Sequence, residues 1–405
     1  LNAMTLQSMG APALENRGTG VVTLGNCTVE ASTDSASAAP AALACAGGRM
    51  SVLESTIAGP GSHVEAAQAC EGVCLLNCTL DGEPRLKGQV SVMRDESLSA
   101  PKIPEDFRYV EQRVTKPAGN SFIDVSLSPY LVAPSRTEDC SAGLQRAIDE
   151  MYALGGGVVY VPAGIYTLSQ PVTVRPGVEL RGSSDAPHHS QVPSTVFYTD
   201  YGRLQPDAQA LITLEGRAGV SGFKVMYTGQ GTGVTDMVPY ACTIRGAGMN
   251  VYILNVDLVN AYVGVDLDTL RCDGHTVNGL TGAPLRHGVV AGGGSVGGLV
   301  RDVQFNPHYY TDNSRYGVKE VTIASVFEYQ MHHAEAFVVR DTVGQMMYNN
   351  FVYGALSGLS IEDGADVCVL GHGTDGGNQS LTASGTPKRP VTLVNSQLVV
   401  VGAYG

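Results

Sequence analysis

The sequence predicts an all-β solenoid, short strands wound into stacked coils of ~23 residues and closed at one end by a single helix. Three observations predict it. Seven hexapeptides, ILNVDL, TVNGLT, VRDVQF, IASVFE, MYNNFV, LGHGTD and LVNSQL, share an apolar–x–polar core. Their third residues, Asn255, Asn278, Asp302, Ser325, Asn349, His372 and Asn395, recur at intervals of 23 or 24 residues. A second row of strands follows ~10 residues later: GVDLD from Gly264, GVVAG from Gly288, AFVVR from Ala336 and GLSIE from Gly358. Glycine is 50 of 405 residues and charged residues only 16%, against a usual ~25%, as expected for many tight turns around a long buried stack.

Residues 1–98 carry a looser version of the repeat, LGNCTV, VLESTI and LLNCTL, with Thr28, Thr56 and Thr79 in equivalent places. They read as coils at the end of an upstream module. Cys70, Cys74 and Cys78 lie on strand and turn with no histidine cluster to complete a zinc set. The nine cysteines therefore read as small buried hydrophobes in a chain that does not depend on disulfides. Residues 99–138, with Pro101, Pro104, Pro117, Pro129 and Pro134, read as a linker. In DCSAGLQRAIDEMYALGGG, Leu144, Ile148, Met151 and Tyr152 fall at helical spacing, with Asp139 as N-cap and Gly155 as stop. This helix, at about 140–154, would cap the open end of a second solenoid over 139–405 and block edge pairing there. The closing apolar run LVVVGAYG makes that solenoid look truncated.

A single coil cannot bury its own apolar face; stacking at the ~4.8 Å strand spacing does so. The recurrent Asn/Asp position then has a physical role, because stacked amides hydrogen-bond along the stack and tolerate left-handed backbone. The net charge of −13 argues against nucleic acid, whose partners carry a Lys/Arg excess. No apolar run reaches the ~18 residues that membrane insertion needs. The first residues show no basic start before an apolar stretch, so no signal peptide is visible.

The segment DCSAGLQRAIDEMYALGGGVVYVPAGIYTLSQPVTVRPGVELRG resembles the entry segment of the pectate-lyase superfamily. The shared features are a helix, a Gly triplet, a Val-Pro-Ala-Gly-x-Tyr strand and a Gly-Val-x-Leu-Arg-Gly coil over 139–182, extended weakly to 405 by the coil pattern. The resemblance implies a right-handed parallel β-helix acting on a polysaccharide or oligosaccharide, secreted or at a cell surface, with a homo-oligomer allowed. It covers polygalacturonase-like and glucanase-like hydrolases, lyases and phage tailspikes. Polygalacturonases carry Asn-x-Asp, Asp-Asp, Gly-His-Gly and Arg-x-Lys on consecutive coils. Here Asn255-Val256-Asp257 and Gly371-His372-Gly373 stand about five coils apart, Asp266 and Asp268 are not adjacent, and no Arg-x-Lys follows. That site does not transfer.

Departures from the repeat are where chemistry is expected. Between Asp302 and Ser325 a coil keeps its length but replaces its second strand with NPHYYTDNSRYG. Tyrosine faces stack on sugars, and the chain has no tryptophan. Asp341 and Asp363 end second-row strands one coil apart, which suits the ~5–5.5 Å carboxylate separation of a retaining glycosidase. Such a pair would split its pKa values as a general acid requires, although Asp-Thr and Asp-Gly are also common turn openers. The sequence thus points to a glycoside hydrolase with Asp341, Asp363 and Asp312 as acid, base or nucleophile and His308 moving protons. Tyr309, Tyr310, Arg315, Tyr316, His333 and Arg340 would hold the substrate. No metal site is expected, since the adjacent His332 and His333 cannot readily chelate one ion. The alternative is a lyase, in which a base removes the proton beside a uronate carboxylate neutralised by Arg315 or Arg340. Calcium would enter only with that chemistry, and the hydrolase needs no cofactor. A third reading is a non-catalytic glycan-binding or surface module.

Overall fold

The computed structural model describes residues 1, 3–34, 38–95, 114, 117, 121–184, 194–313 and 321–401. The chain divides into two units, Leu1–Phe107 and Arg108–Gly405.

In the first unit, three four-stranded sheets are built from strands that recur coil after coil, all parallel. Thr28, Thr56 and Thr79 align across neighbouring strands. Leu24, Val29, Leu43, Met50, Val52, Ile57, Val64 and Leu75 fill the interior.

In the second unit each coil contributes a strand to a first, a second and a third sheet in turn. The first two sheets have ten strands and the third eight among the described residues. Registered side chains stack into columns. Val159, Leu180, Val220, Ile253, Val277, Val300, Met347 and Val369 form one on the first sheet. Ile212, Ile244, Val265, Val289, Phe337 and Leu359 form another on the third. Burying each side chain of this kind contributes ~1.5–3 kcal/mol.

Helix α1 (Ser141–Ala153) buries Leu144, Ala147, Ile148 and Met151 in the same core as Val159, Val172 and Val174. Tyr152, by contrast, is half exposed. Cys140 occupies the cap position, while Asp139 Oδ1 accepts the Ser141 N–H at 3.1 Å. Gly155, at φ +93°, ends the helix in a conformation that glycine adopts without strain. The expected linker is shorter than 99–138. Phe122–Asp124 and Ser135–Asp139 already pair with the first strands of the second unit.

The repeat has a different frame from the one expected. Left-handed backbone recurs at Gly222, Asn255, Gly279, Asp302, Asn349, Gly371 and Asn395. Glycine replaces the amide in some coils, so Asn278 and His372 stand one residue off the column. The Asn349 amide donates to Asp302 Oδ1 at 2.6 Å, a rung of the amide ladder. Ser325 has no place on this column. Leu299–Arg301 pairs directly with Gln345–Tyr348, so one coil spans the whole interval from Asp302 to Asn349. The surplus forms α2 (His308–Asp312) and α3 (Ile323–His333), with Thr322 Oγ1 capping α3 by accepting the Ser325 N–H. The segment IASVFE is thus helix. The excursion leaves where the second sheet turns into the third, and it covers Val196, Tyr198, Met226 and Val259 on the outer face of the second.

Candidate functional site

The third sheet presents a charged outer face between the strands Val263–Leu267 and Ser357–Ile361. His287 and Glu335 open consecutive strands and are register partners. His287 Nδ1 lies 3.4 Å from Glu335 Oε2, and Arg286 Nη1 approaches the same oxygen at 3.4 Å. Ser360 Oγ donates to Glu335 Oε1 at 3.1 Å, which fixes the carboxylate. Further along the strands, Arg340 donates to Asp268 Oδ2 at 2.7 and 2.9 Å and to Glu362 Oε2 at 3.0 Å. Arg245 donates to Asp266 Oδ2 at 2.8 Å.

The electrostatics divide these groups into two kinds. Burial works against the Asp266 carboxylate. Hydrogen bonds from Thr269 and the Asp268 N–H, with Arg245 beside it, outweigh that cost and hold its pKa below the usual range. His287 moves the other way for a base. Burial first, and then the charges of Arg286 and Arg340, push its imidazole down to about 4, so it is neutral at neutral pH. Arg286 and Arg340 keep 40% and 43% of their side chains exposed, so both can meet a solvent-borne anion. The buried Nδ1 of His287 has no hydrogen-bond partner among the described residues, and Glu335 Oε2 at 3.4 Å is the nearest carboxylate oxygen to meet its proton once the ring shifts to bind substrate.

The expected site residues divide differently. Asp341 and Asp363 do occupy consecutive coils, with the Asp341 N–H donating to the Asp363 carbonyl at 3.0 Å. Their side chains act in turns. Lys388 Nζ bonds Asp341 Oδ1 at 2.9 Å and holds its pKa below the usual range, and Asp363 Oδ1 accepts the Thr386 N–H at 2.9 Å. Asp312 and His308 lie on α2, over the second sheet, and so on a different face from Asp341 and Asp363. Tyr309 and Tyr310 are buried and bond Gln304 Oε1 and the Gly231 carbonyl, so their rings pack the excursion down and cannot stack on a sugar. Arg315 and Tyr316 lie outside the described residues. His333 ends α3 with its ring 4.4 Å from that of Tyr329, and its carbonyl accepts from Arg286 at 3.1 Å. Of the expected residues, His333 and Arg340 adjoin the charged face.

His287, Glu335, Arg286 and Glu362 were not anticipated. A signal for two of them exists: His287 and Glu335 directly precede the second-row motifs GVVAG and AFVVR, where the neighbouring coils carry Val263 and Ser357. The second unit also has an open hollow lined by Arg136, Tyr198, Asp200, Tyr201 and Thr228. There the Arg136 guanidinium sits 5.7 Å over the Tyr198 ring, occupying the face on which a sugar would stack.

No family model and no curated protein matches the chain. Several solved structures resemble it. The A-module of mannuronan C-5 epimerase AlgE6 from Azotobacter vinelandii is 18% identical over 68% of this chain and 69% of its own, with a TM-score of 0.45. The Dettilon tailspike protein gp208 is 11% identical over 62% of this chain, with a TM-score of 0.41, and the chain spans half of its length. The PL6 family alginate lyase AlyGC is 12% identical over 97% of this chain and 58% of its own, with a TM-score of 0.32. The chain has a three-sheet parallel β-helix fold. That statement rests on the three parallel sheets and their coil-by-coil register.

Proposed function

We propose that the chain is a carbohydrate-active enzyme that removes the proton beside the carboxylate of an acidic sugar, as a uronate lyase does, on the outer face of the third sheet. One observation carries this reading: the His287 ring lies in a partly buried place with Glu335 Oε2 3.4 Å from its Nδ1 and the exposed Arg286 sharing that carboxylate oxygen. In the proposed step Nε2 of His287 takes the proton, the electron pair of the broken C–H bond forms the new C=C bond, and the neighbouring glycosidic C–O bond breaks with its oxygen taking a proton from solvent. The Glu335 charge stabilises the imidazolium, and an exposed arginine neutralises the sugar carboxylate. Binding that anion would offset the arginine charges that depress His287, making it a stronger base when substrate is present. Arg245, Arg286 and Arg340 are each matched by a carboxylate on this face, so an anionic glycan would be met by the exposed edges of Arg286 and Arg340 and not by a net positive patch.

The glycoside hydrolase reading calls for a carboxyl group held protonated at neutral pH. Asp266 cannot be that group, because its hydrogen bonds from Thr269 and the Asp268 N–H, with Arg245 beside it, hold it below the usual range. The test is a panel of neutral and uronate-containing polysaccharides, read both by ultraviolet absorbance of unsaturated products and by reducing ends. Unsaturated products from a uronate glycan, lost ~10²–10⁴-fold in His287→Gln, are expected for a general base. New reducing ends without unsaturation would establish hydrolysis. Turnover in His287→Gln at the wild-type rate would remove this residue from the mechanism.

A further inference from the structure

The first unit carries a pair of thiols placed for covalent closure. Cys45 ends the strand Leu43–Cys45 and Cys70 opens the strand Cys70–Leu76, so both stand at the same corner of consecutive coils. Two turns bring them together. The Ala46 N–H bonds the Asn16 carbonyl as the chain turns toward Gly48, and the Cys70 N–H bonds the Ala67 carbonyl in the next coil. The sulfurs are 2.9 Å apart, less than 1 Å beyond a disulfide bond length of about 2.05 Å. Both side chains are buried, which holds the pair in one arrangement. The remaining sulfur contacts are local. Cys45 donates to the Gly47 carbonyl at 3.3 Å, and Cys70 accepts the Gly72 N–H at 3.2 Å. Cys74 projects from the same strand toward the Met93 sulfur, 4.0 Å away, and not toward this pair.

We propose that Cys45 and Cys70 form an oxidisable pair that closes to an intrachain disulfide linking two consecutive coils. The oxidant is a small disulfide such as oxidised glutathione. Each closure breaks its S–S bond, forms the Cys45–Cys70 bond and releases two reduced glutathiones carrying the two thiol protons. The closed loop joins positions 25 residues apart, so it restricts the unfolded chain of a unit whose core is small. Burial pushes the Cys45 thiol up to about 12, so exchange at neutral pH is slow and quickens as the pH rises.

The test uses the full chain, fully reduced and then incubated at mildly alkaline pH with oxidised glutathione. Thiols are then counted by alkylation in denaturant and disulfides mapped by mass spectrometry of proteolytic peptides. The expected result is the loss of two of the nine thiols, a single cross-linked peptide joining Cys45 to Cys70, and recovery of both thiols on reduction. A Cys74→Ser variant should give the same cross-link. Retention of all nine thiols would overturn the proposal. So would a cross-link to Cys74 or Cys78, a link between chains, or disappearance of the link in Cys74→Ser.

Discussion

The second unit should lose stability in mild acid because buried histidines, His275, His287 and His372 among them, resist protonation in the fold. His372 is 1% exposed; its Nε2 lies 3.1 Å from Thr374 Oγ1 and its ring packs edge-on against Phe337. Burial alone pushes it down to about 4, and His287 is pushed to the same value. In the unfolded chain both titrate near 6.5. Above that pH neither state is protonated and the histidines have no effect on stability. Between 6.5 and about 4 the unfolded chain binds protons that the folded chain refuses, so stability falls as the pH falls. The slope is up to ~1.4 kcal/mol per pH unit for each histidine, with a ceiling of ~3 kcal/mol each across the interval. His287, one quarter exposed, contributes less than its ceiling. The perturbation is His372→Gln, which keeps a polar group near Thr374 and cannot titrate. Urea unfolding of the second unit, followed between about pH 7.5 and 4.5, should show a shallower acid slope in the variant by ~1 kcal/mol per pH unit. A lower stability at neutral pH from imperfect packing would not matter, because only the slope is compared. Parallel curves for wild type and variant would refute the reasoning.

Other predictions follow from the same geometry. With His287 as the base and its free-enzyme pKa at about 4, kcat/KM on a uronate glycan should stay level as the pH falls from neutrality, with its acid limb near 4. A limb near 6.5 would mean that a different group is titrating. Asp341→Asn and Asp363→Asn should keep wild-type turnover, since both side chains serve turns and asparagine tolerates the φ of +41° at Asp341; loss of activity in either would return the carboxylate pair to the mechanism. On the left-handed column, Asn255→Gly should be nearly neutral and Asn255→Val should cost ~1–2 kcal/mol in thermal or urea unfolding. Glu54, at φ +44° in the first unit where Asn26 and Asn77 hold the same conformation in neighbouring coils, should gain up to ~1 kcal/mol on substitution by glycine.

The solenoid was legible because its period is imposed by geometry: a coil that drifts in length loses its place in the apolar columns. The errors came where two different residues satisfy one backbone demand. Glycine and asparagine both accept positive φ, so Gly279 and Gly371 stand in for an amide, and a pattern keyed to Asn278 and His372 slides by one residue. The excursion was hidden for an arithmetic reason. Asp302 and Asn349 are 47 residues apart, nearly two coils, so an inserted helical pair can pass for an ordinary turn of the solenoid. The contrary signal was local: Thr322 at a cap, followed by Val326, Gln330 and Met331 on one buried side.

The charged face was harder to read, and the reason bears on which acids deserve a catalytic role. Along a stack, a side chain meets partners one or two coils away, and nothing in the local sequence says which. Asp341 meets Lys388, 47 residues on, and Arg340 meets Asp268, 72 residues back. An aspartate pair on adjacent coils therefore looks catalytic until the neighbouring coils are known to neutralise it. An acid already matched by a lysine or an arginine stays ionised and does the work of a strut. At His287 the balance is decided by burial, which removes the water that would stabilise its charged form; Arg286 and Arg340 push the same way, and Glu362 and Asp266 oppose them without restoring the ring to its ordinary range. An incoming anion on the exposed edges of Arg286 and Arg340 would weaken their effect on the ring, and that is the step at which the proposed reaction asks for a carboxylated sugar.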